Sequence, residues 1–382
     1  MRKRLIPPAS PNPEGLTELR HEVRQFLRDR IDSGAFTPGV DTWLTQWDPA
    51  FTRELAERGW IGMTIPEEYG GHGRTFLERF VVTEELLAVG APVAAQWVAD
   101  RQAAPSLLKF GTEEQKQRFL PGIARGEICW AIGMSEPESG SDLASVKTRA
   151  TRVEGGWTIN GTKLWTSGAH HADAFFLLAR SEPLDPAHRH AGLSQFIVLL
   201  DGPGVEIRPI YTMSGDHHFN EVILTGVFVP DELVLGKIGD GWHQVTSELG
   251  FERSGPERFM STFALLGAVA DEIGAERLPS DPGIGRLAGR MFGLHQMSAA
   301  VAGALSRGEN ADVAASVVKI LGTEVEGDVA DLVDEISGES YPGGEDFAKL
   351  LRAGIMQRPG FTLRGGTTEI LRGVVARGLG MR

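Results

Sequence analysis

The spacing of apolar residues along this chain changes twice, and that change restricts the folds open to it. Near the start the spacing is helical: "EGLTELRHEVRQFLRDRI" puts Leu16, Leu19, Val23, Phe26 and Leu27 on one face. "FTRELAERGW" runs into Gly59, which predicts a helix stop, and "TFLERFVVTEELLAVG" repeats the pattern and again ends in glycine. "TEEQKQRFLPGI" opens with a capping box, Thr112 followed three residues later by Gln115. The middle then alternates. "GWTINGTKLWTS" carries strand residues around Asn160-Gly161, a pair that predicts a type I′ hairpin. "AFFLLAR", "SQFIVLL", "GVEIRPI" and "EVILTGVFV" follow, separated by turn residues and by no long helix. That predicts an antiparallel β-domain rather than a βαβ sheet. No G-x-G-x-x-G stands between a strand and a helix, so a Rossmann fold is not expected.

From about Gly241 the helical period returns in "VTSELGFERSG", "RFMSTFALLGAVADEIG", "RLAGRMFGLHQMSAAVAGALS", "DVAASVVKILGTEVEGDVADLV" and "TEILRGVVARGL". These fit a helical bundle, and the alanines at 299, 300, 302 and 304 suit close helix contacts. The order is therefore α, β, α. A chain of 382 residues exceeds one ordinary core and predicts two or three domains. The net charge of -13 sets against nucleic acid and against a general attraction to anionic membranes. The single cysteine, Cys129, permits no disulfide framework or multi-cysteine metal site within the chain and fits a reducing cytoplasm. No run of 18 apolar residues is present, so no membrane span is expected. The first 14 residues are basic and proline-containing without an apolar core, which predicts a loose tail. The histidine pairs at 170-171 and 217-218 lack helical partners with nearby acids and are expected at the surface or in loops, not on a metal.

"WAIGMSEPESGSDLASVKTRA", "INGTKLWTSGAHHADAFFLLAR" and "GGTTEILRG" together resemble the acyl-CoA dehydrogenase family. "WIGMTIPEEYGGHG", "FGTEEQKQRFLPGIARGE" and "HFNEVILTGVFVP" extend the likeness over nearly the whole chain from about residue 15. The resemblance implies an α+β, three-domain fold. Its parts are an N-terminal helical domain (1–126), a central antiparallel β-domain (127–236) and a C-terminal four-helix bundle (237–382). It also implies FAD, an acyl-CoA substrate, and electron-transfer flavoprotein or a similar acceptor. Such proteins assemble as dimers or tetramers and serve fatty-acid and lipid degradation. The chemistry implied is α,β-dehydrogenation: a carboxylate takes the α-proton and the β-hydrogen leaves as hydride to flavin N5. The thioester carbonyl must be polarised as enolate character develops.

By the same resemblance, Met134 and Ser135 meet the pyrimidine edge of the flavin, Trp165 packs against the ring and Ser167 bonds near N5. A flat apolar ring requires such an aromatic wall with a few fixed polar groups. Ser141 falls near the CoA pantetheine or pyrophosphate, and Arg253 on the substrate side. Thr367 and Glu369 fall where the family touches the FAD of the same or a neighbouring subunit; Thr367 also reads as the N-cap of the last helix. Glu369 departs from the glutamine common in relatives. "LPSDPGIGRLAGRMFGLHQM" does not reproduce the family's cross-subunit FAD segment: Phe292-Gly293 is out of register, and Arg286 or Arg290 is the nearest substitute.

Many relatives carry the catalytic glutamate in the C-terminal loop, at the position of Gly365, and glycine cannot take a proton. Some relatives place it instead on the first long bundle helix, within Leu-x-x-Glu-Arg; Leu249, Glu252 and Arg253 match that pattern, with Glu257 a weaker candidate. The second possibility is a non-catalytic or half-catalytic subunit of a heteromer, and the third a flavin oxidase of the same fold. Gly365 retains a backbone N–H for the thioester oxygen, and its missing side chain frees volume for a branched or ring-bearing acyl group.

Overall fold

The computed structural model describes residues 5–10, 14–253, 255–338 and 344–381, with the backbone alone over 249–252. It forms two compact units: one comprises 1–46, 74–93 and 252–382, the other 47–73 and 94–251. Among the described residues no helix is long and apolar enough to cross a membrane.

The second unit is built on an eight-stranded sheet: β1 Trp130–Gly133, β2 Arg149–Val153, β3 Gly156–Lys163, β4 Ala174–Arg180, β5 Leu193–Leu199, β6 Val205–Tyr211, β7 His217–Pro230 and β8 Val234–Leu235. The strand order is β6-β7-β3-β2-β4-β5-β8, with β1 on β4. Every residue of β4 is buried: Ala174 to Ala179 form an unbroken apolar run, and Arg180 donates to the carbonyls of Ala144, Arg189 and Ala191. Trp130 of β1 packs edge-on against Phe176 of β4 and Phe119 of the helix Glu113–Ala124, joining helix and sheet in one core. That helix starts on the expected capping box, with Thr112 and Gln115 bonding reciprocally.

Two expectations for this region need correction. The sheet is not wholly antiparallel, because β1 and β4 run parallel. Asn160-Gly161 is not a hairpin turn. β3 runs straight through it, and the turn lies at Glu154-Gly155, where Gly155 has a φ of 72°. The 14-residue β7 pairs with both halves of β3 across an irregularity between Ile159 and Gly161. The glycine is required by crowding: a Cβ at Gly161 would lie 2.7 Å from Thr148 Cα. Asn160 uses its side chain to accept from Gly226 N–H at 2.8 Å.

The first unit is helical. Helix Leu16–Asp32 buries Leu16, Leu19, Val23, Phe26 and Leu27, the face read from the sequence. Helix Phe76–Ala88 carries its own capping box, Thr75 with Glu78. Between them, Arg20 and Arg24 pair with Glu85, Arg20 also with Glu84, and His295 of helix Pro282–Ser306 closes on Glu84. Helices Phe263–Gly274, Pro282–Ser306, Asp312–Ser337 and Glu345–Phe361 make the bundle, followed by Thr368–Gly378. Glu345–Phe361 was not among the expected helices; Gly354 and Pro359 interrupt its apolar pattern.

Glu326, on helix Asp312–Ser337, is fully buried and accepts Ser261 N–H at 2.8 Å. Burial pushes its carboxyl up to about 7, against the pull of Arg364 and Ser261. Arg364 in turn pairs with the buried Asp41. A carboxyl whose folded-state pKa is raised holds its proton in the native state where the unfolded chain has lost it, so stability falls as pH rises from the ordinary carboxylate range through about 7. Glu326→Gln removes that loss. Urea titrations at pH 5 and pH 8 should show the variant gaining on the parent by about 2–3 kcal/mol at the higher pH; an equal difference at both pH values contradicts this.

Candidate functional site

In the second unit the segments after β1 and β3 run side by side. Leu164 N–H donates to Ser135 O at 2.9 Å, which places Met134 and Ser135 next to the Leu164–Ser167 loop. Beneath them lies a buried ion pair. Lys163, with no exposed side chain, donates to Met134 O at 3.0 Å and to Glu136 Oε1 at 2.7 Å. Glu136 also accepts Lys147 N–H at 2.6 Å and Thr148 N–H at 3.0 Å. Burial alone raises the Glu136 carboxyl, but Lys163 and these bonds hold it below its ordinary range. Burial brings the Lys163 ammonium down to about 8 despite Glu136.

Trp165 has a φ of 60°, the left-handed region that a bulky non-glycine residue rarely adopts. Its indole is 55% exposed, touched edge-on by Phe219 at 5.5 Å. A strained backbone that presents a large apolar ring to the outside is a mark of function rather than packing. The strain is held by Asn220, which is fully buried. Its backbone exchanges two bonds with Thr166, each 3.1 Å, and its Nδ2 donates to Thr166 O at 3.0 Å. Gly168 N–H donates to His218 O at 2.8 Å, so Ser167 is fixed from both sides, half-buried. An exposed indole on a loop whose backbone is bonded to Ser135 and which also carries Ser167 suits a flat conjugated ring with polar edges, and FAD fits these residues.

The histidines serve this loop. Trp47, His171, His170, His217 and Tyr211 form a column of rings, with centroid spacings of 4.7, 3.9, 4.0 and 5.5 Å. Asn220 Nδ2 donates to His170 Nδ1 at 3.0 Å, and Asn220 Oδ1 lies 2.8 Å from His217 Nε2. Burial, then the neighbouring His171 and His217, lower the His170 pKa to about 4. Ser141 is exposed at the tip of a loop whose neighbours are knitted together: Ser139 donates to Asp142 O, and Arg189 pairs with Asp142 at 2.6 Å.

In the first unit Gly365 and Gly366 have φ of 64° and 95°. Arg253, which is buried, donates from Nε to Gly365 O at 2.9 Å. The "FERSG" segment and the glycine loop, 112 positions apart, are thereby brought together. Glu252 is the last residue of the helix Gly241–Glu252; its side chain lies outside the described residues. Glu257 is buried in the turn Pro256–Arg258. Thr367 caps the terminal helix by accepting from Ile370 N–H. Glu369 is exposed, and its carboxyl is held below the ordinary range by its own N–H and by Thr367. Arg290 pairs with Asp328 at 2.5 Å and Phe292 is 66% exposed.

The reading from sequence missed the Glu136–Lys163 pair and Asn220. Each looked like an ordinary strand or loop residue, and only the alternation of β3, which turns Lys163 inward, carried a signal.

Sequence profiles described as the N-terminal, middle and C-terminal domains of acyl-CoA dehydrogenase match residues 13–127, 131–227 and 283–380. FadE34 of Mycobacterium tuberculosis, an acyl-CoA dehydrogenase, is 36% identical over 85% of this chain, which spans only 45% of that relative's length. FadE29 of the same organism, also an acyl-CoA dehydrogenase, is 33% identical over 94% of this chain and 95% of its own. The solved structure described as the Tcur3481-Tcur3483 steroid ACAD superposes with a TM-score of 0.85 at 31% identity, covering 100% of both chains.

Asn220→Ala deletes the side-chain bond to the Thr166 carbonyl, which then keeps only the backbone N–H of residue 220, and removes the side-chain partner of His170 and His217. We expect a stability loss of about 1–3 kcal/mol in urea titration, with faster amide exchange at Thr166 to Gly168; unchanged exchange there contradicts the bracing role.

Proposed function

The chain belongs to the acyl-CoA dehydrogenase family, and from that premise we propose an FAD-dependent α,β-dehydrogenation of an acyl-CoA thioester, with Glu252 as the base. The observation that carries the reading is the bond from Arg253 to Gly365, because it sets the residue after Glu252 against the loop that lacks a carboxylate. A glutamate at Gly365 would also have to adopt the left-handed backbone found there, which costs about 1–2 kcal/mol for a side-chain-bearing residue. Relocating the carboxylate to the helix end avoids that cost. Glu252 then removes the α-proton, and the Gly365 N–H donates to the thioester oxygen, where negative charge grows. Bound FAD supplies the hydride acceptor. Trp165 walls the ring, while Met134, Ser135 and Ser167 hold its polar edge; Thr367 and Glu369 are the candidate contacts to the FAD of the same or a neighbouring subunit. Ser141 faces the CoA moiety. Arg253 acts on the substrate side by fixing the Gly365 peptide.

A glycine at 365 leaves room for bulk at the acyl position. A solved structure described as a steroid ACAD, alike over its full length, supports a ring-bearing acyl group. Electrons then pass to an electron-transfer flavoprotein or a similar acceptor, in the cytoplasm. Two observations favour a second reading: the loop carries no carboxylate, and the description of that solved structure joins two names. On that reading this chain is one half of a heteromer.

Anaerobic bleaching of the flavin tests both. Ring-bearing acyl-CoAs should bleach the parent faster than short straight ones, and Glu252→Gln should slow bleaching by about 10²–10⁴-fold. Unchanged bleaching in the variant removes Glu252 from the reaction. A chain that is inert alone and active with an added partner subunit establishes the second reading.

A further inference from the structure

A lysine ammonium with no exposed surface is costly even when paired, because desolvation offsets most of the Coulombic gain. Lys163 is such a group, and its geometry is specific. One hydrogen bond goes to Glu136, the other to the carbonyl of Met134 at 3.0 Å. That carbonyl belongs to the peptide whose N–H is that of Ser135. A cation bonded to a peptide oxygen polarises the same peptide's N–H, and in a low-dielectric interior the effect is strong. The next peptide is fixed as well, by Leu164 N–H on Ser135 O. The Ser135 N–H is thus both oriented and made a stronger donor.

We propose that Lys163 is an electrostatic positioning residue for the bound flavin: acting through the Met134–Ser135 peptide, it holds the donor against the pyrimidine edge and favours the electron-rich, reduced form. This rests on the flavin reading above. Reduction adds negative charge to the pyrimidine edge, so a donor polarised by a buried cation stabilises the reduced form more than the oxidised one. Glu136 tempers the effect and keeps the ammonium charged. The same pair explains why "SEPE" and "TKLW" carry an acid and a base that no surface interaction uses.

The test compares the purified parent chain with Lys163→Met and with Lys163→Met/Glu136→Gln, the second removing both charges so that neither is left buried alone. FAD affinity is measured by quenching of flavin fluorescence, and the midpoint potential by anaerobic equilibration with a reference dye. Both variants should retain FAD. Their potentials should fall by about 30 mV or more, a tenfold change in a two-electron equilibrium, with Lys163→Arg recovering part of the shift. A double variant that binds FAD at the parent's potential overturns the inference and leaves the flavin reading intact. A parent chain that takes up no FAD overturns both.

Discussion

The Glu136–Lys163 ion pair is the constraint on which the loops after β1 and β3 depend. It joins the end of β1, the end of β3 and the Lys147-Thr148 backbone in one buried knot. Removing either partner alone leaves an uncompensated charge in the interior, a loss of about 3–5 kcal/mol. The pair therefore fixes where two loops leave the sheet. Those loops carry Met134 and Ser135 on one side, Trp165 and Ser167 on the other. The exposed indole of Trp165 stands on residues that are hydrogen-bonded on both sides.

Asn220 and the histidine column complete that support. Asn220 lies in β7, the strand that runs the length of β3, so its side chain reaches the Thr166 carbonyl at a fixed height. The left-handed backbone at Trp165 is unfavourable locally and is held by backbone bonds on either side of Thr166. Strain of this kind persists where surrounding structure over-determines it.

The helical unit solves a similar problem with different chemistry. Asp41, Glu326 and Arg364 form a buried polar group beside Trp43, whose ring lies 4.9 Å from both the Arg258 and Arg364 guanidiniums. Arg364 immediately precedes Gly365, and Arg253 bonds the Gly365 carbonyl, so the glycine loop is gripped on two sides. The loop's left-handed glycines are a backbone requirement that a residue with a side chain meets poorly.

The sequence by itself determined what depends on near neighbours. The five-residue apolar face of Leu16–Asp32 and the capping boxes at Thr75 and Thr112 use contacts within a few positions, so period and cap residues revealed them. The α-β-α order followed from the same periodicity, and the motifs that named Trp165 and Gly365 followed from resemblance. Asn160-Gly161 was misread because a turn pair and a bulge share one local preference, and only the partner strand β7 selects between them. Helix Glu345–Phe361 was missed because its glycine and proline weaken the local signal, while its burial comes from other helices. The tertiary structure alone decided that Lys163 meets Glu136, that Asn220 holds Thr166 and that Arg253 reaches Gly365. These pairs lie 27, 54 and 112 positions apart, and a contact that pays no local conformational dividend leaves no periodic trace in a sequence.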